Sequence, residues 1–151
     1  MAMAKARKSL RKFAPGPRVL AAQGERLKVA GLRPTRQRLA LAALLFGGGS
    51  RHVTAEELHG EAAAAGVRVS LATVYNTLHQ FSAAGLLREL SVDGARTYFD
   101  TNTGNHQHFY CEDDGQLTDI EGQSISVAGL PDLPPGAKLR RVDVIVRVSR
   151  R

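Results

Sequence analysis

The sequence predicts an α+β fold in two parts, a helical front half closed by a β-hairpin and a small C-terminal α/β unit behind it. Three observations carry this expectation. Four stretches with apolar residues at helical spacing lie between Val19 and Ala84, and each ends at glycine. Two β-prone segments, LLRELSV and ARTYF, flank Asp93-Gly94. From about Thr101 the texture changes to short strands divided by Asp-Gly and Pro-rich turns. A chain of 151 residues has room for one ordinary domain or two small ones, and 43% hydrophobic with 23% charged residues is an ordinary globular composition. No run approaches the roughly 18 apolar residues of a membrane span, so no membrane partner is expected.

Residues 1–18 read as a basic disordered tail closed by Pro15-Gly16-Pro17. No apolar stretch follows it, so a secretory signal is not expected; an extended tail is simpler than a transit peptide, and a cytoplasmic location fits. Val19 to Ala30 predicts a first helix ended by Gly31. Thr35 caps a second, Arg36 to Phe46, with Leu39, Ala42, Ala43 and Phe46 on its apolar face. Thr54 and Glu57 form a T-x-x-E capping box for a third helix over 54–65, with Val53 and Leu58 at the staple positions. Ser70 caps a fourth, Leu71 to Ala84, whose buried stripe is Leu71, Val74, Leu78 and Phe81. That leaves Ser70, Thr73, Tyr75, Asn76, Thr77 and Gln80 outward or flanking, uncharged side chains able to reach base edges. Asp93-Gly94 suits a type I′ turn. Helices followed by a hairpin, in this order, predict a winged helix-turn-helix domain over 19–100, with helix 70–84 entering the major groove of DNA.

The charge agrees. Residues 1–38 hold eleven Lys/Arg against Glu25 alone, a net +10; residues 39–110 hold four basic and six acidic side chains, and 111–151 hold six and seven. The whole excess is N-terminal, which favours a polyanionic partner for the front end over a merely solvated tail.

In residues 101–151, HFYCED and QLTDIE predict strands joined by Asp114-Gly115, and the alternation from Leu139 to Val148 predicts another. PDLPPG between them cannot be helical. So small a unit buries little alone, and pairing as a homodimer is the natural remedy. His106 and His108 project to one side of an extended segment, with Asp100 just before them, Asp119 returning on the next strand and His52 ahead of the third helix. This nitrogen/oxygen donor set suits iron or manganese and also accepts zinc; a pair of surface histidines is the plainer alternative. His59 and His79 are lesser candidates. One cysteine, Cys111, leaves no internal disulfide and no four-cysteine structural zinc site. No glycine-rich phosphate loop, nucleophile elbow or H-E-x-x-H helix occurs, and Cys111 and His108 would face opposite sides of a strand, so catalysis is not expected.

GLRPTRQRLALAALL, HVTAEELH, SLATVYNTLHQFSAAGLL, RTYFDTNTGNHQHFYC and GQLTDIE together resemble the ferric uptake regulator family over about residues 28–122. The resemblance implies a winged-helix domain, a C-terminal dimerisation domain and control of DNA binding by iron status or a related signal. It implies a regulatory metal site of His52, Asp100, His106, His108 and Asp119, minor-groove contact by Arg33, and base contact by Tyr75 with Asn76 beside it. Two departures stand out. Asp114 occupies the place of a second cysteine, and a Pro-rich stretch replaces the long helix of the dimerisation domain. Both, with the C-terminal LPDLPPGAKLRRVDVIVRVSRR, resemble the iron-response-regulator branch. That branch implies haem sensing, with DNA bound when iron is scarce and released by haem; the alternative is an ordinary ferric-uptake- or peroxide-regulator type of repressor activated by ferrous iron or manganese. The Cys-Pro haem motif of some members is missing, which leaves His106 and His108 as the haem ligands.

Overall fold

A computed structural model of the chain describes residues 15–121 and 124–150. The chain divides between Thr103 and Gly104 into two compact units.

In the first unit, α1 spans Pro17–Val29. It starts two residues before Val19 because Pro17 at the first turn loses no helical hydrogen bond and its φ is already helical. Residues 17 and 18 therefore leave the expected tail, and residues 1–14 of that tail lie outside the described ones. Gly31, at φ +79°, ends α1: its N–H bonds Lys28 O while Leu32 N–H bonds Leu27 O. The second helix, α2, spans Arg36–Phe46, and its N-cap Thr35 accepts the Arg38 amide. Its buried face differs from the expected one. Leu41, Ala42, Ala43 and Leu45 are buried, while Leu39 and Phe46 are only half-buried, because α2 packs against both α1 and the next helix.

Helix α3, Ala55–Ala64, has both bonds of its capping box, Glu57 N to Thr54 Oγ1 at 3.2 Å and Thr54 N to Glu57 Oε2 at 2.9 Å. The staple residues Val53 and Leu58 are fully buried. Helix α4, Leu71–Ala83, buries Val74, Thr77, Leu78 and Phe81. Thr77 thus belongs to the core face, three residues on from Val74, and is withdrawn from the DNA-facing set; Leu71 is only half-buried.

Strand β1 is a pair of residues, His52–Val53, that the sequence did not reveal. With β2, Arg88–Asp93, and β3, Arg96–Asp100, it makes an antiparallel sheet in the order β1-β3-β2. The β2–β3 turn is not type I′, which needs φ > 0 at both central residues. Gly94 and Ala95 are not among the positive-φ residues; instead the Asp93 carboxylate accepts the amides of Ala95 and Arg96, each at 3.1 Å. The Arg51 guanidinium grips Glu61 through two bonds, 2.9 and 2.5 Å, and donates to Leu44 O, while its backbone pairs with Thr101. Glu61, by that bond, raises the Arg51 pKa. One side chain thus ties the ends of α2 and α3 to the sheet.

The second unit is a three-stranded sheet in the order β5-β4-β6: β4 Gln107–Cys111, β5 Leu117–Ile120 and β6 Ile145–Val148. The β4–β5 turn needs Gly115 at φ +69°, with its N–H on Cys111 O and the Gln116 amide on Asp114 Oδ1. The Gln116 amide first, then the Cys111 thiol and Arg150, hold the Asp114 carboxyl below its usual range. Two expectations are corrected. The last strand covers only four residues, not Leu139 to Val148, and it runs parallel to β4. No helix occurs among the described residues of this unit, so its architecture is a bare sheet with a long irregular connection. Val127, Leu130, Leu133 and Leu139 on that connection are 46–55% exposed.

The core of the first unit should govern its stability. Phe81→Ala, removing a fully buried ring, is expected to cost about 3–5 kcal/mol. Glu61→Ala, breaking a half-exposed bidentate pair, should cost about 1 kcal/mol. Urea unfolding of both variants checks the ranking; equal losses would contradict it.

Candidate metal centre and nucleic-acid interface

The first unit places His52 and Asp100 directly opposite each other on β1 and β3. His52 Nε2 lies 3.2 Å from Asp100 Oδ2. Asp100 is fully buried, and its other oxygen accepts the Asn102 amide at 2.8 Å, which aims Oδ2 toward the imidazole. This pairing follows from β1. Without that two-residue strand His52 would simply precede α3.

The second unit brings His106, His108 and Asp119 together. His108 and Asp119 are register partners across β4 and β5, and His106 lies two residues earlier on the same side. Both Nε2 atoms face Asp119 Oδ1, at 3.5 Å from His106 and 3.4 Å from His108. The rings are 4.5 Å apart at 63°. His106 Nδ1 contacts Gly104 O at 2.8 Å; a carbonyl only accepts, so Nδ1 donates there and Nε2 is the ring nitrogen turned toward Asp119. Ligands held about 2.1 Å from a shared ion stand about 3.0–3.4 Å apart, and the spacings in both units match this geometry. The donors are imidazole and carboxylate throughout, the set for iron, manganese or zinc. His59 and His79 are otherwise engaged, with Val69 O and Glu89 respectively.

Of the residues expected to meet DNA, Arg33 is exposed in the loop before α2. Ser70 is the N-cap of α4: its hydroxyl accepts the Thr73 amide and donates to Thr73 Oγ1. Asn76 is exposed, and Thr73 and Tyr75 are half-buried. Two residues of this face were missed by sequence reasoning. Arg38 donates to Arg33 O and to Gln80 Oε1, both at 2.9 Å, tying the Arg33 loop to α4. Glu56 accepts the Tyr75 hydroxyl at 2.6 Å. Neither has a local signal, because the partners are 42 and 19 residues apart.

Residues 29–131 match the Ferric uptake regulator family. The chain belongs to that family. It is similar to the ferric uptake regulation protein of Pseudomonas aeruginosa, 36% identical over 99 residues, 65% of this chain and 74% of the relative. It is similar also to the peroxide-responsive repressor PerR of Staphylococcus aureus (strain Mu50), 36% identical over 95 residues. That match covers 63% of this chain and 64% of PerR, just under two thirds of the repressor's length. Among solved structures it resembles the Pseudomonas aeruginosa ferric uptake regulator with manganese, at 27% identity and a TM-score of 0.65 over 85% of this chain and 97% of that one. The α+β fold is thus a family fold. Relatives bearing these names are regulators and repressors, and no helix among the described residues is long and apolar enough to cross a membrane.

The Tyr75–Glu56 bond predicts a titration. Glu56 holds the Tyr75 hydroxyl above the usual phenol range, and Tyr75 holds the Glu56 carboxyl below its own. The bond therefore persists between those two pKa values, and is lost as pH falls through the Glu56 pKa or rises through the Tyr75 pKa. The Tyr75 phenol, isolated as the absorbance difference between the parent and Tyr75→Phe, should ionise late, and at ordinary pH in Glu56→Ala. Identical curves in the two backgrounds would contradict the bond.

Proposed function

We propose that this chain is a homodimeric, metal-responsive, sequence-specific DNA-binding transcriptional regulator. One divalent ion, iron or manganese with zinc also accommodated, would be held by His52, Asp100, His106, His108 and Asp119. The observation that carries the reading is the pair of half-sets, His52–Asp100 in one unit and His106–His108–Asp119 in the other, each with ligand-like spacing. The chain from Asp100 to His106 is short, a span of at most about 21 Å when fully extended. The manganese in the structure of the Pseudomonas aeruginosa regulator supports the choice of ion.

An ion that takes donors from both units restricts how the DNA-binding unit turns on the second one. Occupancy then changes DNA affinity only through unequal affinity for the two arrangements. The exposed Val127, Leu130, Leu133 and Leu139 support a homodimer, since a second copy would cover them. A two-fold dimer presents two α4 helices and reads a pseudo-palindromic operator in double-stranded DNA. Arg33 would enter the minor groove, with Tyr75 and Asn76 on base edges and Ser70 and Thr73 at the helix start.

The lone cysteine and the Pro-rich 131–136 favour a second reading, release of DNA by haem bound at His106 and His108. Against it, both imidazoles are buried, 4% and 1% exposed, and both face Asp119. A planar macrocycle would have to swing them out.

Selection of binding sites from random duplex DNA, with manganese or ferrous iron, with a chelator and with haem, tests these readings. The expected result is a pseudo-palindromic site bound more tightly with the ion, by about tenfold or more for a coupling above about 1.4 kcal/mol. That gain should vanish in His106→Ala/His108→Ala. Failure to enrich any sequence overturns the DNA reading; haem-driven release, lost in the same double variant, overturns the ion reading in favour of haem.

Affinity for the selected site should also fall steeply with salt, as phosphate contacts release counterions. Arg33→Ala should flatten the slope of log affinity against log salt. An unchanged slope would remove Arg33 from the interface.

A further inference from the structure

We infer that Glu56 is a specificity-determining residue: by taking the only proton of the Tyr75 hydroxyl, it makes that hydroxyl an acceptor toward DNA and excludes guanine at the base that Tyr75 meets. The inference rests on the DNA-binding reading above.

The geometry begins with the two ends of the tyrosine. Its hydroxyl lies 2.6 Å from Glu56 Oε1, the length of a charge-assisted O–H···O⁻ bond. Its ring stacks on His79, with centroids 6.4 Å apart at 20°. His79 is itself held, by Glu89 at 2.8 Å and edge-on to Phe99 at 5.6 Å. Tyr75 is therefore steadied at its ring by α4 and β2 and at its hydroxyl by the first turn of α3.

The chemistry follows from counting protons. A phenol has one O–H and its oxygen also accepts; an ionised carboxylate only accepts. Glu56 is held in the ionised form, so the bond has one polarity, with Tyr75 donating. What remains for a partner in the major groove is the phenol lone pair and the ring edge. Adenine N6 and cytosine N4 carry N–H donors for the lone pair, and the thymine methyl packs on the ring. Guanine offers only the acceptors N7 and O6 and no methyl group. Meeting the Tyr75 oxygen, guanine would bring acceptor against acceptor. The wrong base is thus rejected by repulsion, through a residue that need not touch the base itself.

Glu56 has another electrostatic neighbour, Arg96, which also favours its charged form; loss of that attraction would act on all DNA alike. The capping box uses Glu57 and Thr54, and Glu56 is exposed on the first turn. Removing its charge near a polyanion should also raise affinity for all DNA, but that gain is independent of sequence. The two effects separate cleanly.

The test measures binding of the full-length dimer to its selected operator and to variants carrying each base at every half-site position. The parent should disfavour guanine at one position per half-site. In Glu56→Ala the hydroxyl proton is free to donate to N7 or O6, and the penalty for guanine there should shrink by about fivefold or more, the scale of one base contact. In Tyr75→Phe, adding Glu56→Ala should leave the base preference unchanged. If Glu56→Ala strengthens binding to every variant equally, Glu56 is only an electrostatic brake and the inference fails. It fails too if the guanine penalty relaxes equally with and without the Tyr75 hydroxyl. A parent that enriches no sequence at all overturns the DNA-binding reading instead, a different result.

Discussion

The pairing of His52–Val53 with Phe99–Asp100 is the constraint on which the rest of the first unit depends. Two residues of strand are little by way of hydrogen bonding, yet they sit between the loop after α2 and the start of α3. Val53 and Phe99 point into the core and are fully buried, so the apolar half of the pair is held by the helices. The alternation of a strand then sends the other half, His52 and Asp100, to the opposite face together. Arg51 and Thr101 extend the pairing by one step, and the Arg51 guanidinium carries it to Glu61 on α3 and to the last turn of α2. A ligand that pulls on His52 or Asp100 therefore pulls on the helical domain through packed groups rather than through a loose linker.

The second unit uses the same device with different register. His108 stands opposite Asp119 because the β4–β5 turn has its length set by Gly115 and Asp114. A one-residue slip would turn Asp119 to the far face. β4 is the central strand, with β6 parallel on its other side, and both histidines are buried but not surrounded by carbon alone. Buried imidazoles need polar company; the Gly104 carbonyl and the Asp119 carboxylate supply it.

The surface proposed to meet DNA is shaped by polar bonds that join distant segments. Arg38 fixes the Arg33 loop to α4, and Glu56 fixes Tyr75 to α3. Several side chains of α4 facing outward have a first partner within the protein: Ser70 with Thr73, Tyr75 with Glu56, His79 with Glu89, Gln80 with Arg38. Asn76 lies exposed among them. Such bonds lower the ordering entropy that binding would otherwise require, and they also decide which hydrogen-bonding role each group has left.

The helices were legible in the sequence because their signals are local. The Thr35, Thr54 and Ser70 caps, the Thr54–Glu57 box and the glycines at 31, 66 and 85 act within one turn of chain, and they set helix ends to within two residues. The ligand types and the H-x-H spacing were legible for the same reason. What the sequence did not show is every feature whose partner is far along the chain: the β1 strand, the burial of Thr77, the parallel run of β6 beside β4, and the bonds of Arg38 and Glu56. Even the Asp93-Gly94 turn went its own way, because the Asp93 carboxylate found the next two amides. Local spacing determined which residues are helical and which can bind an ion. Tertiary packing decided which of them meet, because a pairing across tens of residues is settled by burial of the apolar faces and leaves no periodic mark on the chain.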